Sequence, residues 1–330
     1  MLLLTQHLHA TDPRDKIFAF HGLLSALGAK LPPPDYTKSV QQVYREAAAV
    51  AIRHDNSLHM LSAITGQNRL EGLPSWVPDW SNSLPITEIA SWKDHDIARA
   101  SWPEELFHIS DDVEALALQG REIETIEVTS IAFPHRFHVR DSAKKTHQQR
   151  EINVIQHWLK DFGPNKRQIS MAKFFSGLTE GPWKRTQPQS DLDADTLSKY
   201  WVKGIKRIGP KHRWGVEERL RDEAVECAKH DFAARKGIHR SIIRFHKLVQ
   251  TLLDRKVMFM TSDGRLGITS QAIQKRDSIV FLQGVNLPMV LRQHGFTKWH
   301  LVAPAYIYGA MEDFSASAPV LNPLRGFVIV

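Results

Sequence analysis

The chain is 330 residues long with a net charge of +7; 42% of its residues are hydrophobic and 24% charged. That length leaves room for two domains with cores of their own, and the composition excludes fibrous and disordered classes. No apolar run approaches the roughly 20 residues that a membrane span requires, and "MLLLTQHLHA" lacks the basic start of a secretory signal. Cys227 is the single cysteine, so an internal disulfide is excluded, and we expect a reducing, cytoplasmic location.

The first element in chain order is written in "ATDPRDKIFAFHGLL". Asp12 suits an N-cap, Pro13 the first helical position, and Asp15 the positive end of the helix dipole. Ile17, Phe18, Phe20, Leu23 and Leu24 give an apolar face, and Gly28 followed by Pro32-Pro33-Pro34 ends the expected helix. "DYTKSVQQVYREAAAVAIRHD" predicts a second helix, with Val40, Val43, Tyr44, Ala47, Val50 and Ala51 recurring on one face.

"LPSWVPDWS", residues 73–81, carries two prolines and two tryptophans, which excludes a regular helix or central strand. We expect an extended, rigid segment whose indoles anchor it to a core. Residues 82–112 read as surface loop, and 114–133 alternate around Gly120 as a hairpin would. The middle region predicts helices at 150–162, 216–234 and 239–255, with 179–201 read as a loop leading into another helix. From Val257, "VMFMTSDGRLGIT", "DSIVFLQG", "PMVLRQHG" and "KWHLVAPAYIYG" predict five short strands, the first two joined at Asp263-Gly264. They point to a small antiparallel sheet or partial barrel. The expected class is α+β.

Charge is uneven along this order. Residues 136–256 hold 27 Lys/Arg against 14 Asp/Glu, a balance of +13, while the remainder holds 16 against 22, a balance of −6. Such a segment is either a nucleic-acid or membrane footprint, or a solvated helical surface facing acidic neighbours. Because the basic residues are dispersed among acidic ones without an aromatic-rich motif, nucleic acid is not expected as a partner.

Sites of chemistry are scarce. No phosphate-cradling glycine loop and no GxSxG elbow occurs. Cys227 lies three residues before His230 on an expected helix, where a buried small hydrophobe is the ordinary reading. The pairs His7/His9 and His135/His138 lack ligands at metal spacing, and Asp191, Asp193 and Asp195 lack the closing Glu of a calcium loop, so no metal is expected. Arg14 beside Asp15 could orient a substrate, but from spacing alone capping by Asp15 and pairing of Arg14 with a nearby carboxylate is the favoured reading. No cofactor is implied, and the residues alone define no self-contained catalytic site.

"ATDPRDKIFAFHGLL" resembles the third conserved block of the fungal heterokaryon-incompatibility (HET) domain, matching it at Ala10, Asp12, Pro13, Arg14, Asp15, Ala19, Gly22 and Leu23. "PDYTKSVQQVYREAA" is similar to the helix that follows that domain, and "LPSWVPDWS" to the signature that comes next. "GRLGI", "DSIVFLQG", "PMVLR" and "YIYGAMEDF" resemble the family's C-terminal module. The two earlier HET blocks, a "SYxWG" phrase and a "WIDxxCINQ" phrase, do not occur, so we expect a truncated member that begins inside its HET domain or has lost an upstream exon.

The resemblance implies nonself recognition and programmed cell death, in a domain compared in fold with nucleotide-cleaving TIR domains. It marks Asp12, Arg14 and Asp15 as family-motif residues with no catalytic role assigned, and Trp76, Pro78, Asp79 and Trp80 as structural anchors. The expected arrangement is three segments. Residues 1–81 are a HET remnant with its anchor segment, 82–256 a hairpin and basic helical region, and 257–330 a β module. The expected function is that of a regulatory or interaction protein whose partner is another protein. An accessory or repurposed enzyme of fungal secondary metabolism, with an aromatic-lined pocket for an unnamed small molecule, is the alternative.

Overall fold

The computed structural model describes residues 8–66, 69–82, 107–135, 144–163, 167–209, 215–285, 287–310 and 323–330. Its helices are α1 (Asp15–Phe18), α2 (His21–Ala26), α3 (Val40–Asp55), α4 (Lys144–Asp161), α5 (Met171–Thr186), α6 (Ala194–Arg207), α7 (Val216–Cys227) and α8 (Phe232–Leu253). Its strands are β1 (Phe107–Ile109), β2 (Leu116–Thr129), β3 (Lys256–Thr261), β4 (Leu266–Ser270), β5 (Ser278–Leu282), β6 (Met289–His294), β7 (Lys298–Ile307) and β8 (Arg325–Ile329). The class is α+β. Two compact units divide the chain, residues 1–126 with 272–330, and residues 127–271. This differs from three consecutive segments: the β3–β4 pair belongs with the helices of the second unit.

In the first unit, the single helix expected after Asp12 is two short ones. Phe20 sits at φ −100°, ψ 0°, and its N–H bonds back three residues to Ile17, which tightens the chain out of the α ladder. Gly28 ends α2 as expected: at φ +89° it lets the Ala29 N–H return to the Leu24 carbonyl. α3 opens with a capping box in which Ser39 and Gln42 each accept the other's backbone N–H. It buries Val43, Tyr44, Ala47, Ala48, Ala49 and Ile52.

The hairpin expected around Gly120 does not form. Residues 116–129 are one long strand, in which a Cβ at Gly120 would stand 2.8 Å from the Phe281 carbonyl oxygen. The glycine serves close strand approach, not a turn. Within the expected loop 82–112, residues 107–109 form β1 against β2, and 83–106 lie outside the described residues.

All five strands expected after Val257 are present, and β8 adds one that the sequence reading missed. The pairings β2–β5, β5–β6, β6–β7, β7–β8 and β8–β2 run in a ring. An odd ring needs at least one parallel step, and β7–β8 is that step. Leu116, Leu118, Val280, Leu282, Met289, Leu291, Leu301, Phe327 and Ile329 share one buried cluster with Tyr44, Ala48, Ile52, Trp76 and Trp80.

The second unit packs α5, α6, α7 and α8 successively, with α4 on α6 and α7. Phe174, Phe175, Trp201, Phe245 and Trp183 form an edge-to-face chain with centroids 4.9–6.1 Å apart. Residues 179–186, read as loop because the stretch is polar and contains proline, instead complete α5, with Pro182 and Trp183 buried. Tertiary packing outweighs the local signal there. The helix expected at 216–234 breaks at Ala228–Asp231, where the Asp231 side chain caps α8 by accepting from the Ala234 N–H.

Candidate functional site

The family-motif residues lie at the start of α1, and the chain between Gly28 and α3 comes back over them. Asp12 Oδ1 accepts the backbone N–H of Arg14 at 2.9 Å, closing a turn ahead of the helix; α1 itself starts at Asp15 with Arg14, not the expected Asp12, at its N-cap position and no side-chain cap bond. The two Asp12 oxygens also take Arg14 Nε and Nη2 at 3.0 and 2.7 Å, a forked ion pair. Arg14 Nη1 then donates to the carbonyls of Tyr36 and Lys38 at 2.6 and 3.0 Å. Asp15 Oδ1 accepts from the Tyr36 hydroxyl at 2.6 Å. The result is a clasp in which a guanidinium and a phenol tie residues 36–38 to the first helical turn.

The electrostatics follow from those bonds. The Arg14 hydrogen bond holds the Asp12 carboxyl below its ordinary range, and the same bond raises the Arg14 guanidinium. Donation to Asp15 is the main cause that pushes the Tyr36 phenol up, and burial raises Tyr44 further.

Tyr44 links the clasp to the tryptophan segment. Its hydroxyl donates to the Pro13 carbonyl at 2.8 Å, and its ring meets Trp80 edge-on with centroids 5.1 Å apart. Trp76 is fully buried and donates to the Glu114 carbonyl at 3.3 Å; Pro78 is buried beside it. Asp79 accepts the N–H groups of Leu70 and Ser81. Arg69 Nη2 donates to the Pro74 and Val77 carbonyls at 2.8 and 2.7 Å, and burial draws its pKa down to about 10. Ser75 joins this segment to the sheet: its N–H reaches Val330 O, and its Oγ accepts the Leu301 N–H.

Helical spacing had shown that Tyr44 faces inward, but nothing in the sequence revealed where its hydroxyl would go. Tyr36, Arg69 and Ser75 were missed for the same reason. Arg69 and Ser75 work by bonding backbone groups, which leave no mark on sequence, and Tyr36 by donating to the Asp15 carboxylate across 21 residues of chain.

This arrangement positions chain; it does not expose reactive groups. Asp12, Arg14 and Asp15 all hold protein partners, and the hollow between Ile17, Phe18, Leu31, Pro33 and Val43 measures about 10 Å³, room for one water. Among the described residues no three His, Cys, Asp or Glu side chains gather as a metal would need. His135 is bonded through Nδ1 to Asp254 at 3.0 Å, while His7 and His138 lie outside the described residues. Asp193 caps α6, with Asp195 in its first turn. Burial raises the Cys227 thiol, which disfavours the thiolate a nucleophile needs. Trp76, Trp80, Trp158, Trp183 and Trp201 fill cores rather than line a pocket. Among the described residues no helix is long and apolar enough to cross a membrane. No family model, curated protein or solved structure matches the chain.

Proposed function

We propose that the chain is a HET-family-like regulatory or interaction protein of the cytoplasm, acting in fungal heterokaryon incompatibility and working through contact with another protein rather than through turnover. The observation that carries this reading is the convergence on Tyr44. The three stretches most like the family, residues 10–23, 34–48 and 73–81, are bonded or packed to one another, with their polar side chains spent on holding the chain. That is what an inherited structural unit requires, and it leaves Asp12, Arg14 and Asp15 as positioning residues.

Inducible expression in a filamentous fungus, scored by colony growth and vital-dye uptake, tests the proposal. Growth arrest with dye-permeable hyphae, relieved by Arg14→Ala, is the expected result. Growth equal to that of an empty vector, together with unchanged incompatibility after deletion of the gene, would overturn it.

A further inference from the structure

Beside the strand ring of the first unit lies an open cleft of about 500 Å³, walled by β2 and β8, by the turn that leads into β5 and by the β6–β7 hairpin. Part of its lining is committed within the protein. Glu122 accepts from the Ser278 hydroxyl at 2.6 Å and pairs with Arg325. Arg325 in turn lies over the Trp299 and Phe327 rings, 5.2 and 4.8 Å from their centroids.

Arg276 and Phe296 are not so engaged. The Arg276 guanidinium is exposed and has no partner among the described residues. Its backbone nevertheless sits at φ +74°, which is strained for any residue with a Cβ. The surrounding turn fixes that conformation. The Arg276 N–H reaches the Ile126 carbonyl at 2.8 Å, the Gln274 N–H reaches Asp277 Oδ2 at 2.7 Å, and the buried Asp277 carboxylate holds Arg292 through both oxygens. A rigid turn thus presents a free cation at the cleft. Phe296 stands at the tip of the β6–β7 hairpin, after Gly295 at φ +69°, and is 100% exposed. A lone exposed ring needs no explanation; an unpaired cation on the same cleft is what singles this one out.

We propose that the cleft binds an acidic segment of a partner protein, its carboxylates on Arg276 and the neighbouring exposed Lys275 and Lys298, and an apolar side chain against Phe296. The inference rests on the reading above, that the chain works through protein contact, and names the chemistry of that partner. The planar fork of arginine matches a carboxylate, and exposed aromatic rings are common anchors of interfaces. A nucleic-acid strand fits less well. Outside residues 136–256 the chain carries a balance of −6, which repels a long polyanion, whereas a short acidic segment meets only the cleft.

The test titrates the full chain into a fluorescein-labelled polyglutamate peptide with one central phenylalanine, read by anisotropy at low salt. Saturable binding that weakens with added salt is expected. Phe296→Ala should weaken it about tenfold. Arg276→Gln should weaken it about fivefold and flatten its salt dependence. Arg276→Glu should go further and shift preference toward the same peptide with lysine in place of glutamate, a reversal that lost packing does not produce. Lys30→Gln/Arg53→Gln, exposed elsewhere in the unit, should bind as the wild type does. All these side chains are exposed, so unchanged thermal melting should accompany each variant. Absence of binding, equal loss from cleft and control variants, or preference for an oligothymidylate over the peptide overturns the proposal. Growth arrest in the fungal assay without peptide binding ends this inference alone. Peptide binding without growth arrest supports the cleft and ends the incompatibility reading alone.

Discussion

In the unit formed by residues 1–126 and 272–330, recognisable side chains are fixed by directional bonds to backbone. Arg14 holds two carbonyls, Arg69 two more, Tyr44 one, and Ser75 reaches both a carbonyl and an amide. In residues 127–271 the helices meet through apolar and aromatic surfaces, between which run polar bonds such as Gln250 to Glu151 and Gln156 to the Ile205 and Ile208 carbonyls. The difference explains why motifs stand out in the first and not in the second. A guanidinium reaching two carbonyls has no substitute of the same shape, whereas a core accepts many residues of about the right size.

That comparison can be broken by mutation. The largest losses are expected from emptying either core: Trp80→Ala in the first unit and Trp201→Ala in the second should each cost about 3–5 kcal/mol in urea melts. A cost well below that at either site would mean that its ring is not a packing centre. Next in size, Gly120→Ala should cost about 1–3 kcal/mol, since the added methyl meets the Phe281 carbonyl oxygen at 2.8 Å. Tyr44→Phe, which removes one hydroxyl and leaves the Pro13 carbonyl with only its bond from the Lys16 N–H, should cost about 0.5–1.5 kcal/mol. The matching conservative change in the second unit, Leu197→Met, should stay under about 1.5 kcal/mol with no bond lost.

The smallest effects concern pH. The Asp12 carboxyl is lowered in the fold, so its contribution is present above the ordinary value of 3.8 and is lost as pH falls through the lower folded value. Tyr36 is raised, so its contribution is complete below the ordinary value of 10.0 and is lost as pH rises through the higher folded value. Arg14→Ala should flatten the acid limb of a stability–pH curve and Tyr36→Phe the alkaline limb. Unchanged limbs in both variants would mean that the clasp is open in solution.

Much of this was legible in the sequence. The second helix with its buried Val43, Tyr44 and Ala47, the Gly28 stop, the buried Trp76 and Trp80 and the five strands after Val257 all follow from local rules. Three kinds of feature did not. Gly120 looked like a turn because a close backbone approach and a turn both ask for glycine. Pro182 looked like a break because the burial that keeps α5 together lies in other helices. The ring closure by β8 joins residues 325–329 to 116–120, and no local pattern reports a pairing over that distance.

The account depends most on the three family-like stretches being one energetic unit around Tyr44. A double-mutant cycle of Tyr44→Leu and Trp80→Leu, followed by urea unfolding, measures that directly. An edge-on aromatic pair predicts a coupling of about 0.5–1.5 kcal/mol. Additivity within about 0.3 kcal/mol would contradict it, leaving the stretches as neighbours that happen to touch.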